Sequence, residues 1–151
     1  MSDEARRAVV TALIRLSAST DHRDRADAGH SLAGFAEMPE AREPLRGLVL
    51  DAGDTSITLT TARALLRRQD AAGLGVVVGA LGRAGPNHAD WIQSAVLDVF
   101  GVFARDRDAA VRVCEALASE SDEQTRLGVG RLTAMLVEIS PILYPVQNDE
   151  P

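Results

Sequence analysis

A pattern that returns every 33 or 34 residues limits the folds open to this chain more than any other feature. Leu32, Leu65, Val99 and Leu132 stand 33, 34 and 33 residues apart, each inside an amphipathic stretch. The residues that open those stretches, Asp21, Asp54, His88 and Ser121, keep the same period. This spacing lies in or just below the range of two-helix repeats, whose units cannot bury an apolar face alone and stack on their neighbours. The expectation is an all-α chain of about four stacked helix pairs behind a capping helix. It forms one domain over residues 1–146, followed by a polar tail, 147–151, expected to be disordered.

Composition narrows the function classes. The apolar 46% is carried by Ala, Leu and Val, with aromatic side chains only at Phe35, Trp91, Phe100, Phe103 and Tyr144. Small apolar residues suit close helix stacking. A formal charge of -6 argues against general nucleic-acid binding, which needs surplus cations to displace phosphate counterions. All 16 basic residues are Arg, so neither a Schiff-base lysine nor a phosphate-loop lysine exists. This usage, with abundant Ala and Gly, resembles the coding bias of a high-GC bacterium. Cys114 stands alone, which excludes an intrachain disulfide and any zinc site built from several thiolates. The start, MSDEARR, has no long apolar run behind it, so neither a signal peptide nor a membrane span is expected and the cytoplasm is the expected location.

Along the chain, residues 4–17 place Val9, Ala12, Leu13 and Leu16 on one helical stripe. Thr20 or Asp21 is available to cap the next helix, expected over Arg23–Glu37 and ended by Pro39. A partner helix starts near Glu40 or with Pro44 in its first turn, and Gly53 is expected as a left-handed stop. ITLTTARALL, after Asp54, is β-branched and alone suits a strand, but Ala62 and Leu65 fall on the repeat grid, so a helix is expected. Leu74, Val77, Val78 and Leu81 form a single stripe in its partner. Asn87 is the expected cap of the third unit, where Ile92, Ala95, Val96, Val99 and Phe103 share a face, a turn spans 105–108, and Ala110, Val113, Cys114 and Leu117 line the partner helix. Ser121 with Gln124 reads as a capping box. Pro141 and Pro145 then leave room for one helical turn around Ile142, Leu143 and Tyr144, a lid over the last unit.

The unit DHRDRADAGHSLAGF…PLRGLVLD has an acidic start, an Arg in its first turn, a small residue before the central Leu, and a Leu-rich second helix ending in Asp. In these respects it resembles the short bacterial HEAT-type repeats, a class that also occurs in phycobilin-lyase-like proteins. The resemblance spans roughly residues 21–139. It implies a right-handed α-solenoid of the armadillo type, with the second helices on the concave face and proteins as partners. The Thr-rich first helix of unit two lacks the Arg, and the last helix is truncated; both depart from the pattern.

No residue set stands out as catalytic. His22 and His30 are about 12 Å apart along a helix and cannot chelate one ion alone, so no metal or cofactor is expected. GLGVVVGALG lies inside a helical stripe rather than between strand and helix, so the dinucleotide fingerprint fails on context. Cys114 falls on an apolar stripe, where a thiol is inert. Trp91 reads either as an anchor for a partner or as a core residue against unit two. Arg42, Arg46, Arg83, Arg107 and Arg112 fall on or beside second helices, off the apolar stripes, as a ridge suited to carboxylates or phosphates. The expected role is a non-catalytic protein-binding module, an adaptor, inhibitor or immunity-type partner, with Trp91 and the five arginines at the interface. The alternative is a DNA-processing enzyme similar to HEAT-like alkylpurine glycosylases, which would need an acid near Trp91 in a basic groove.

Overall fold

A computed structural model describes residues 1–119 and 122–146, and the regular elements among them are all helical. The first, α1 (Asp3–Ser17), begins at Ser2, whose Oγ accepts the Ala5 N–H at 3.1 Å. Its core face is Val10, Leu13 and Ile14, with Leu16 against a smaller cluster of Ala28, Leu48 and Ile57. The expected stripe is therefore rotated, and Ala12 is exposed.

Asp21 caps α2 (His22–Leu32), accepting the Arg23 N–H at 2.8 Å. The helix tightens to a 3-10 turn at Ala33–Phe35, short of the expected Glu37. Pro39 opens α3 (Pro39–Val49), where its missing N–H costs nothing, and Pro44 lies in the interior of that helix. Gly53 does not adopt a left-handed conformation. Asp51 closes the loop instead, its Oδ2 accepting the N–H groups of Gly53 and Asp54 at 3.1 and 2.8 Å.

The β-branched stretch is helical, as α4 (Thr55–Arg67), capped by Asp54. Burial of Ile57, Thr58, Thr61, Ala62, Leu65 and Leu66 on one face outweighs intrinsic propensity. Thr61 fits where Gly29 has no side chain: a Cβ there would lie 2.0 Å from Thr61 Oγ1. The turn into α5 (Ala71–Leu81) runs through Gln69 at φ 56°, and Asp70 caps α5 through the Gly73 N–H at 2.9 Å. Beyond the expected stripe of Leu74, Val77, Val78 and Leu81, α5 also buries Val76 and Ala80, because α3, α4, α7 and α8 pack around it, while Ala71, Ala72 and Gly75 stay open.

Gly85, not Asn87, precedes α6 (Pro86–Phe100), with Pro86 in first position. Ile92, Ala95, Val96 and Phe100 are buried, and Val99 packs partly against them. Phe103 lies beyond the helix and is 47% exposed. The expected turn at 105–108 is instead the first turn of α7 (Ala104–Ser119), which buries Ala104, Ala110 and Cys114. Asp122 caps α8 (Glu123–Glu138) through the Thr125 N–H at 2.8 Å; the capping box expected at Ser121 and the tail 147–151 lie outside the described residues.

In the packing, α1 covers α2; α2, α4 and α6 contact one another in succession, as do α3, α5 and α7. Helix α8 lies chiefly along α5 and α7 and touches α6 less. Arg131 on α8 fastens this arrangement by donating from Nη1 to the Leu81 and Ala84 carbonyls at 2.6 and 3.2 Å, which caps the end of α5. Residues 142–144 form no helical turn. They run extended beside the α6–α7 junction, with Leu143 donating to the Val102 carbonyl at 2.7 Å and accepting from Ala104 at 2.9 Å. Pro145 removes the N–H that would close a helical turn here and disfavours the helical region for Tyr144 before it. No helix among the described residues is long and apolar enough to cross a membrane.

Candidate functional site

The α3, α5 and α7 succession leaves a cleft of about 440 Å³ lined by Glu37, Arg42, Arg46, Ala71, Ala72, Gly75, Val76 and Leu117. The floor is small and apolar because α5 begins with Ala, Ala and Gly. The walls carry charge because Arg42 and Arg46 lie four residues apart, one turn, on α3. Arg46 rests against the α5 backbone at Gly79, where a Cβ would stand 2.8 Å from its Nε. Its Nε is buried without a hydrogen-bond partner among the described residues, while Nη1 donates to Glu43. Glu43 also reaches Arg83, at 3.7 Å, so one carboxylate joins two of the expected arginines. Arg42 makes no ion pair among the described residues.

Glu37, at the cleft edge, is already committed. Arg6 donates to it, and Arg68 Nη2 stands 2.9 Å from its Oε2. Partial burial pushes the Glu37 carboxyl up, but hydrogen bonds from its own backbone N–H and from Arg6, with the charge and hydrogen bond of Arg68, outweigh this and hold it below its ordinary value. Arg68 also donates to Asp70 and, at 3.1 Å, to the Ala33 carbonyl, while the Arg6 guanidinium lies 5.4 Å from the Phe35 ring centre. Glu37 and Arg68 were not among the residues singled out from the sequence; only the folded chain brings positions 6, 37 and 68 together.

The expected arginine ridge thus divides. Arg42, Arg46 and Arg83 form one group. Arg107 and Arg112 line a different cleft with Asp108, Val111 and Val137, and the two clefts share no residue. Arg107 is engaged in the fold, donating to Asp108 Oδ1 at 2.7 Å and to the Ile139 carbonyl at 2.9 Å, which ties α7 to the end of α8. Arg112 is exposed. Trp91, on α6, lines neither cleft and is 37% exposed. Cys114 is buried, which pushes its thiol up, against a smaller opposing effect of a hydrogen bond with Thr133. His22 and His30 are exposed, and His88 Nε2 is 2.8 Å from the Asp51 carbonyl oxygen. No group of three His, Cys, Asp or Glu residues able to hold a metal occurs among the described residues.

No family model matches the chain, and no curated protein matches it. Among solved structures it is similar to an engineered protein whose crystal structure came from the Northeast Structural Genomics Consortium, at 20% identity over 85% of this chain and 62% of that one, with a TM-score of 0.38. This chain therefore spans less than two thirds of that protein, and a likeness at this level says nothing of family or activity.

Proposed function

We propose that the chain is a non-catalytic protein-binding module, a right-handed HEAT-like solenoid whose partner docks acidic side chains into the cleft between α3, α5 and α7. The observation that carries this reading is the pairing of an unengaged Arg42 with Arg46 over a floor of Ala71, Ala72 and Gly75. A guanidinium presents a planar fork matched to a carboxylate, and a small-residue floor lets a partner's backbone come close. The successive contacts of α2, α4 and α6, and of α3, α5 and α7, are those a stack of helix pairs makes, with second helices along one side.

Affinity capture with the intact chain tests the proposal. A stoichiometric protein retained by the wild type and lost with Arg42→Glu/Arg46→Glu supports the cleft, whereas loss only with Arg107→Glu/Arg112→Glu moves the interface to α7. Retention of duplex DNA at low salt would replace this reading with the DNA-processing alternative.

A further inference from the structure

We propose that the chain forms a two-fold homodimer through α8, packed antiparallel against α8 of a second copy. The core-facing side of α8 carries Gly128, Val129, Leu132 and Leu136, yet an apolar strip also lies on its outer side: between Glu123 and Glu138, and beside Arg131, the exposed residues Leu127, Gly130, Ala134 and Val137 follow one another at helical spacing. Leu127 is 50% and Val137 59% exposed, and a Cβ added at Gly130 would meet nothing within 4 Å. An exposed apolar strip on a helix is surface suited to association, since contiguous apolar patches left in water mark interaction sites.

The pattern on α8 identifies its partner as another α8. Antiparallel pairing about an axis at the level of Leu132 sets Leu127 level with Val137 of the second copy, and Gly130 level with Ala134, so small residues meet at the centre and larger ones flank them. The same register sets Arg126 level with Glu138 at each end of the contact, so opposite charges share each end, whereas a parallel pair would set like charges level. Both side chains are exposed and neither is in an ion pair among the described residues. The opposite end of the molecule cannot serve as that partner. The outer face of α1 carries Glu4, Arg7, Thr11 and Arg15, and head-to-tail stacking would press those charges onto Leu127 and Val137. End-to-like-end association brings this apolar strip onto its own copy, and it closes as a dimer instead of extending as a filament.

Sedimentation velocity of the intact chain over a broad concentration range tests the proposal. The wild type is expected to show a monomer–dimer equilibrium, and Ala134→Arg to weaken it by about tenfold or more, because the new charge is buried against Gly130. Thr11→Arg, on α1, is expected to change nothing. Register is read by mixing Leu127→Cys with Val137→Cys under mild oxidation: the mixture should cross-link far more than either variant alone, since each residue stands about 15 Å along the axis from its own copy. Cys114 is buried and stays silent in this assay. A monomer at every concentration, a dimer indifferent to Ala134→Arg, or cross-linking of Val137→Cys with itself would overturn the proposal.

Discussion

Gly128 lies so close to Val78 that a Cβ on it would stand 1.8 Å from the Val78 carbonyl oxygen. This contact brings α8 down onto α5, and the same approach recurs a turn away, where a Cβ on Gly82 would stand 2.4 Å from the Gln124 carbonyl oxygen. Gly128→Ala is therefore expected to destabilise by about 1–3 kcal/mol or more, since the obstacle is backbone and cannot rotate aside. Gly47→Ala, inside α3 with open space around it, should stabilise by about 0.5–1 kcal/mol. Urea unfolding followed by circular dichroism separates the two; equal effects would mean that α8 does not press on α5.

Gln69 carries the only positive φ among the non-glycine residues described, 56°, between α4 and α5. A left-handed conformation costs a residue with a Cβ roughly 1–2 kcal/mol. Gln69→Gly should recover up to about 1 kcal/mol, less the added entropy of the unfolded chain, and Gln69→Val should lose stability. The ranking Gly above Gln above Val in melting temperature checks the turn.

Arg25, on α2, holds the α1–α2 turn to the α3–α4 loop. Its Nε and Nη2 donate to Asp51 at 2.9 and 3.4 Å, and its Nη1 to the Ser19 and Thr20 carbonyls at 3.0 and 3.1 Å. Both side chains are largely buried. Arg25→Ala should cost about 1.5–3 kcal/mol, as hydrogen bonds to charged groups do, and a double-mutant cycle with Asp51→Ala should show coupling of about 0.5 kcal/mol or more. Additive single effects would deny the pair.

Asp70 sets a pH dependence. Burial raises its carboxyl, but the Arg68 hydrogen bond, the Gly73 N–H and the Arg68 charge together hold it below its ordinary value of 3.8. A carboxyl depressed in the folded state binds protons less readily than in the unfolded chain, so its stabilisation is complete above 3.8 and is lost as pH falls through the lower, folded value. Stability should decline on acidification below about pH 4, and Asp70→Asn should flatten the Asp70 part of that decline. An unchanged acid limb in the variant would show that Asp70 does not contribute.

The caps show how much local chemistry could be read in advance. Asp21 was legible as a cap, and Asp54 as a helix start, because an Asx side chain before a helical run satisfies a free N–H two or three residues on, and nothing distant is needed. Gly53 misled because Asp51 supplies an alternative closure through its carboxylate. Phe103 misled because the helix stops at Phe100, where residues 142–144 come alongside. The arginine group was legible only in part: Arg42 and Arg46 share a helix face at one-turn spacing, whereas the separation of Arg107 and Arg112 depends on where α7 and α8 cross.

By itself, the sequence determined that the chain is helical and roughly where most helices lie, since periodic Leu, Val and Ala, Asx caps, and Gly and Pro breaks act within a few residues of one another. Tertiary structure alone decided that α5 would be packed among α3, α4, α7 and α8 with its Ala71, Ala72 and Gly75 side left open, that α8 would settle on α5 and α7, and that Arg6, Glu37, Arg68 and Asp70 would form one charged chain. Those outcomes depend on close approach between residues far apart in sequence, such as Gly128 with Val78 and Gly29 with Thr61. A missing side chain permits such an approach without announcing its partner, so the repeat period describes the helices and their packing selects which surfaces remain open.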